Sequence, residues 1–154
     1  MKIEEKIKEM GLSFPTPPTP KGAYKPVVRT GNLIFSSGTG SNVNGVRLYT
    51  GKVGLDVSIS DAQESAKLAL LNNLANIKAE VGSLDSIRII KLTGFVNSAP
   101  GFTEQAKVID GASLFLEKIM GEKGKHARSA IGVCELPFNL SVEIEMVVEV
   151  QSTI

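Results

Sequence analysis

The sequence predicts an α+β domain with two helices packed on one face of a β-sheet. Three observations carry this. The apolar residues alternate with period two in some stretches and recur at helical spacing in others, in the order hairpin, strand, helix, strand, helix, hairpin. Each of the two long helical stretches offers one apolar stripe, as a helix lying on a sheet would. The length of 154 residues, 42% hydrophobic and 21% charged, suits one globular domain with an ordinary core. No internal repeat or composition break suggests a second, so residues 1–154 are read as one domain, with a helix and connector over 1–21 and a core over 22–154.

At the start, Ile3, Ile7 and Met10 recur at helical spacing before Gly11, which predicts a short amphipathic helix with a glycine stop. PTPPTP over Pro15 to Pro20 cannot continue it and reads as an extended connector. Val27–Arg29 and Leu33–Ser36 flank Thr30-Gly31-Asn32 and predict a hairpin. GTGSNVNG follows, rich in turn formers, and Val46–Tyr49 can add a short strand. Ser60-x-x-Gln63 reads as a capping box opening a helix whose face carries Ala66, Leu70, Leu74, Ile77 and Val81, with Gly82 ending it. Ile87 to Val96 is apolar on both parities, as a strand covered on both faces would be. A second helix is predicted over Glu104 to Met120 with Val108, Ala112, Phe115 or Leu116, and Ile119 inward. Gly111 costs this helix about 1 kcal/mol against alanine and marks a close approach. Arg128–Val133 and Val142–Val150 then read as two strands around a turn containing Leu136-Pro137-Phe138-Asn139.

Composition excludes several function classes. Seventeen Lys plus Arg against sixteen Asp plus Glu gives a net charge of +1, with the cations spread along the chain. Nucleic-acid binding draws most of its affinity from clustered cations, and two tyrosines with no tryptophan leave few stacking platforms, so nucleic acid is not the expected partner. Cys134 is the only cysteine, which rules out an internal disulfide or a thiolate metal cluster and fits a reducing, cytoplasmic compartment. The opening MKIEEKIKEM is not a signal peptide, and apolar runs such as LALL fall far short of the ~18 residues of a membrane span.

Catalytic motifs are sparse. GTGSNVNG lacks the P-loop lysine and a following helix, so it reads as a hairpin loop rather than a phosphate cradle. His126 is the single histidine and reads as a surface residue before a strand. Ser36, Ser37 and Ser129 have no G-x-S-x-G elbow, which argues against serine hydrolase chemistry. More informative is the C-terminal pair of strands. If they pair as a hairpin, parity puts Arg128, Ala130, Glu143 and Glu145 on one face, Ala130 opposite Glu143 and Arg128 opposite Glu145. That face is either a solvated ion pair, which spacing alone favours, or a polar site in which a small ligand bridges Arg128 and Glu143.

The run ARSAIGVCELPFNLSVEIE resembles the signature of the reactive-intermediate deaminase (RidA/YjgF) family: an arginine, a Leu-Pro turn and a closing Val-Glu-Ile-Glu. GAY at Tyr24, SSG at Ser36-Ser37-Gly38, KLTGFVNSAPGF and VIDGAS agree in order, so the resemblance covers most of the chain after Gly22. The longer segments and the N-terminal helix are similar to the branch of about 150 residues historically labelled endoribonuclease L-PSP. The resemblance implies a chorismate-mutase-like α+β fold with a mixed sheet, and a homotrimer with ligand sites between subunits. It implies hydrolysis of 2-imino acids, or their enamine tautomers, to 2-keto acids and ammonia, without metal or organic cofactor because an iminium carbon is already electrophilic. On that basis Arg128 would bind the substrate carboxylate in a bidentate pair and Glu143 would position or activate water. Tyr24, Ser37 and Gly38 would close the pocket, Tyr24 from across a subunit boundary, and backbone groups near Ala130 would bond near the imine nitrogen.

Three positions depart from the founding branch. Ala130 stands where that branch has a cysteine, so Cys134 does not inherit its role. Asp110 stands where it has an asparagine, placing negative charge beside a carboxylate ligand unless the side chain turns away. Thr39 replaces a glutamine after Ser-Gly. Two other readings stand beside the deaminase: an endoribonuclease or translation inhibitor, a label some relatives carry, and a non-catalytic metabolite-binding trimer.

Overall fold

A computed structural model describes residues 1–17 and 22–152. The fold is α+β with a mixed sheet, as expected. Helix α1 spans Ile3–Glu9, strands β1 Val27–Thr30 and β2 Leu33–Ser36, β3 Asn42–Val43 and β4 Val46–Arg47. There follow α2 at Ile59–Val81, β5 at Ile87–Asn97, α3 at Gln105–Met120, β6 at Ala127–Val133 and β7 at Val142–Val150. The last three residues of the proline-rich connector, Pro18 to Pro20, lie outside the described residues.

The main sheet is mixed, in the order β1-β2-β7-β5-β6, while β3 and β4 form a small ribbon of their own. Helices α2 and α3 cover one face of the main sheet. The predicted stripes meet there: Ala66, Leu70, Leu74 and Ile77 of α2, and Val108, Ala112, Leu116 and Ile119 of α3, are fully buried. They enclose Leu92, Val96, Val142, Ile144 and Val148 from the sheet. Gly111 does mark a close approach, since a Cβ there would collide with the backbone of Gln63 on α2. Helix α2 opens two residues earlier than its sequence suggests. Ser58, not Ser60, is the cap and accepts from the Asp61 amide at 3.1 Å. Gln63 instead donates to the Lys107 carbonyl at 2.8 Å, tying α2 to the first turn of α3.

The expected C-terminal hairpin does not form. Strand β5 lies between β6 and β7, pairing parallel with β6 and antiparallel with β7. Its length explains the choice: eleven mostly apolar residues can bury a ladder on both edges, which a β6–β7 hairpin would leave half paired. Parity along β5 is also not what the sequence suggests. Ile90 is an extra residue at a bulge, where the register passes from Ile89↔Val148 to Lys91↔Val147. Ile87 and Ile89 before it therefore share the helix-covered face with Leu92, Gly94 and Val96 after it. The apolar run on both parities reflects this phase shift and not a strand covered on both faces.

Candidate functional site

The order of strands fixes where the signature residues go. Across β5, Glu145 and Ser129 both lie level with Thr93, and Glu143 and Ile131 with Phe95. These side chains share the face that no helix covers. Arg128 is level with Leu92 and Ala130 with Gly94, so both take the opposite face, beneath α3. Within one chain Arg128 and Glu143 thus stand on opposite faces of the sheet, and the expected sharing of a face is wrong. Its cause is the intervening strand.

Glu143 borders a cleft of about 450 Å³ whose walls include Tyr24, Ser37, Gly38, Arg47, Asn76 and Phe138. Three of the predicted pocket residues, Tyr24, Ser37 and Gly38, are therefore beside Glu143. The segment after β2 runs along β7 through reciprocal bonds between the backbones of Thr39 and Ile144, at 2.9 and 3.0 Å. Gly38 lies directly against the carboxylate: a Cβ there would come within 2.8 Å of Glu143 Cδ. The Ser37 hydroxyl donates to the Lys25 carbonyl at 2.6 Å and pins the strand leading from Tyr24. Burial pushes the Glu143 carboxyl above its usual range, and the neighbouring Glu145 charge adds to the rise. No salt bridge reaches Glu143 among the described residues. Among the described residues the cation lining this cleft is Arg47, whose guanidinium sits 3.8 Å above the Phe138 ring centroid. Phe138 itself adopts a left-handed conformation, φ 58°, in the turn before β7.

The second cluster surrounds Arg128. Its Nη1 donates to Asp110 Oδ1 at 2.7 Å and to Ser113 Oγ at 3.2 Å, both on α3. Asp110 is thus turned toward the arginine. The two bonds leave from one nitrogen, so the Nε and Nη2 edge remains for a second partner among the described residues, and Arg128 keeps 25% of its side chain exposed. His126 is more than a surface residue. Its Nδ1 faces the Gly124 carbonyl at 2.6 Å, which can only accept, so Nε2 is left to accept from the Ser113 hydroxyl at 2.9 Å. Burial lowers the His126 pKa, as does the Arg128 charge, against an opposing pull from Gly124. Ala130, half-buried, packs on the core beside this cluster.

Sequence reasoning missed the polar inner wall of the cleft. Asn72, Asn73 and Asn76 are buried on α2 among Leu70, Leu74 and Ile77. The Asn73 amide donates to the Ser37 carbonyl, Thr39 Oγ1 and the Ile144 carbonyl at 3.1, 3.1 and 2.9 Å, fixing the segment that carries Gly38. The signal was present: Asn73 falls three residues after Leu70 and four before Ile77, on the apolar stripe, where a polar side chain needs a reason.

A mixed sheet with an acid-bearing cleft on one side and an arginine cluster on the other matches known proteins. Residues 4–150 match the family described as "YjgF/chorismate mutase-like, putative endoribonuclease". The chain is 33% identical to protein TCP17 of Trypanosoma cruzi over 98% of its own length and 96% of the relative. A 2-iminobutanoate/2-iminopropanoate deaminase of Dermatophagoides farinae is 28% identical, over 91% of this chain and 95% of the relative. The crystal structure of Atu1372 from Agrobacterium tumefaciens, a protein described as of unknown function, superposes with a TM-score of 0.91 at 44% identity, covering 97% of this chain and 92% of that one. The chain belongs to the YjgF/RidA family. That family includes deaminases alongside proteins named for endoribonuclease activity.

Proposed function

We propose that this protein is an enamine/imine deaminase, hydrolysing 2-imino acids to 2-keto acids and ammonia in sites shared between copies of a homotrimer. The observation that carries the reading is Glu143: a half-buried carboxylate with a raised pKa and no salt bridge among the described residues, facing a cleft large enough for a small acid. Such a group holds a proton more readily than an ordinary carboxylate, which suits it to take one from water and pass it on. It takes a proton from water as the water oxygen bonds to the imine carbon, and passes that proton to the imine nitrogen, leaving an adduct with one hydroxyl and one amino group. Glu143 then takes the hydroxyl proton as the carbon–oxygen double bond forms and delivers it to the nitrogen, which departs as ammonia as the carbon–nitrogen bond breaks, and the carboxylate is restored. No redox change occurs.

Arg128 serves as the carboxylate holder only if it comes from a different copy than Glu143, because the two occupy opposite faces of one sheet. Its unused Nε and Nη2 edge has the geometry for a bidentate carboxylate. The helix-free face supports assembly: Val28, Phe35 and Ile131 are exposed there at 56%, 47% and 42%. The site gains nothing for RNA cleavage, given the dispersed cations and the net charge of +1.

The test is ammonia release from 2-iminobutanoate and 2-iminopropanoate formed in situ by an amino acid oxidase. Wild type is expected to exceed buffer, with Arg128→Ala raising KM. Equal rates for wild type, variant and buffer would sink the deaminase reading. A KM that rises instead in Arg47→Ala and not in Arg128→Ala would place the carboxylate inside one copy's cleft.

A further inference from the structure

The inner wall of the cleft holds a polar group without a partner. Asn76 is only 5% exposed, lines the cleft that Glu143 borders, and its Oδ1 has no hydrogen-bond partner among the described residues. Leaving a buried carbonyl oxygen unpaired is costly. One turn earlier, Asn72 spends its amide nitrogen on the carbonyls of Gly40, Asn42 and Leu68 at 2.9, 2.8 and 3.2 Å. Its carbonyl oxygen is the remaining, accepting half of that side chain, and Asn72 lines the same cleft. The cleft is walled as well by Leu140, Pro137, Asn42 and Arg47 and by the segment through Gly40, where a Cβ would strike the Leu140 side chain. Asn72 and Asn76 thus set two carboxamides on successive turns of one rigid helix along the cleft, with the Asn76 oxygen still to be paired.

Resting on the deaminase reading above, we infer that the cleft selects imino acids whose side chain ends in a hydrogen-bond donor, a carboxamide fitting best, and that Asn76 is the residue that reads it. A substrate held with its imine carbon at Glu143 turns its side chain toward α2. A carboxamide there donates N–H to Asn76 Oδ1 and can accept from the Asn76 amide in return. An aliphatic side chain of the same shape leaves that oxygen unpaired. A site built to bond a polar group rejects the apolar isostere far better than an apolar pocket rejects a polar one.

Asparagine and leucine have nearly the same side-chain shape and differ in polarity, so imino acids made from them by an amino acid oxidase are the probes. Wild type is expected to favour the asparagine-derived imine by at least about tenfold in kcat/KM, the size of one buried hydrogen bond. Asn76→Leu should reverse or erase the preference, with Asn76→Ala as the second variant if the leucine does not fold. A wild-type ratio near one, or a ratio unchanged in both variants, overturns the inference while leaving the deaminase reading intact. If no imine is turned over, that reading fails instead, and calorimetry with the unreactive keto acids 2-oxosuccinamate and 4-methyl-2-oxopentanoate decides. Tighter binding of the first, lost in the Asn76 variants, supports the donor site; equal binding, or none, overturns it.

Discussion

The two charged clusters of this protein stand on opposite faces of one sheet and are in opposite electrostatic states. Arg128 is already neutralised, bonded through one nitrogen to Asp110 and Ser113. Glu143 has no counter-ion among the described residues; it is half buried and its proton affinity is raised by that burial and by Glu145. A structural ion pair would have put these two together, because an unpaired buried charge is costly. Their separation teaches that each is kept for something one chain does not supply: a carboxylate for the free edge of Arg128, and a proton-exchanging substrate for Glu143.

The sharpest way to break this comparison is to remove the acid. Glu143→Gln keeps the shape and is expected to lower kcat for imine hydrolysis by about 10²–10⁴-fold, the usual contribution of a general base. Activity within a factor of two of wild type would remove Glu143 from the chemistry. Separation across copies predicts complementation. Arg128→Ala and Glu143→Gln chains, each impaired on its own at low substrate, should recover about a quarter of wild-type sites when unfolded together and reassembled one to one, since one random subunit junction in four brings both intact residues together. Absence of recovery, with mixed assemblies shown by mass spectrometry, would return both halves to one chain.

Smaller effects concern the supports of each cluster. Asn73→Leu leaves the Ser37 and Ile144 carbonyls without their side-chain donor and should destabilise the fold by about 1–3 kcal/mol in urea titration. Asp110→Asn should cost under about 1 kcal/mol, as exposed pairs do, and lower KM for carboxylate substrates severalfold by freeing Arg128. An unchanged KM would mean Asp110 does not compete with the ligand. The last effect is on pH dependence. Glu143 holds its proton more tightly when folded than unfolded, so its contribution favours the fold below the ordinary carboxyl range and is lost as pH rises through the raised value. Glu143→Gln should therefore melt higher than wild type at pH 7, and the gap should close as pH falls below that range. A gap constant with pH would contradict the raised affinity.

Elements set by local pattern were legible in the sequence. Ile3 and Ile7, the β1–β2 hairpin and the stripes of α2 and α3 rest on periodicity and turn chemistry within a few residues, and all formed where expected. Partnership was not legible. Arg128–Val133 and Val142–Val150 are consecutive strands, and consecutive strands commonly pair, yet each prefers an edge of the longer β5 far back in the chain. Parity arithmetic on the wrong partner then put Arg128 on the wrong face. The resemblance to a known family grouped Ser37, Gly38 and Glu143 without depending on strand pairing, whereas Tyr24, expected from across a subunit boundary, lines the cleft of the same chain. It said nothing of Asn76, whose meaning comes from what it lacks in three dimensions.

The extra residue in β5 reaches further than its local kink. Everything that pairs with β5 downstream of Ile90 inherits the phase set there, including all of β6 and the glutamate-bearing half of β7. Ile90 acts as a frame marker for the sheet. A one-residue insertion before it could be taken up by moving the bulge, whereas one just after it would exchange inside for outside along the rest of β5, sending Leu92 and Val96 to the open face against partners that stay in place. Length variation among relatives should accordingly be tolerated in the loops and scarce between Lys91 and Asn97.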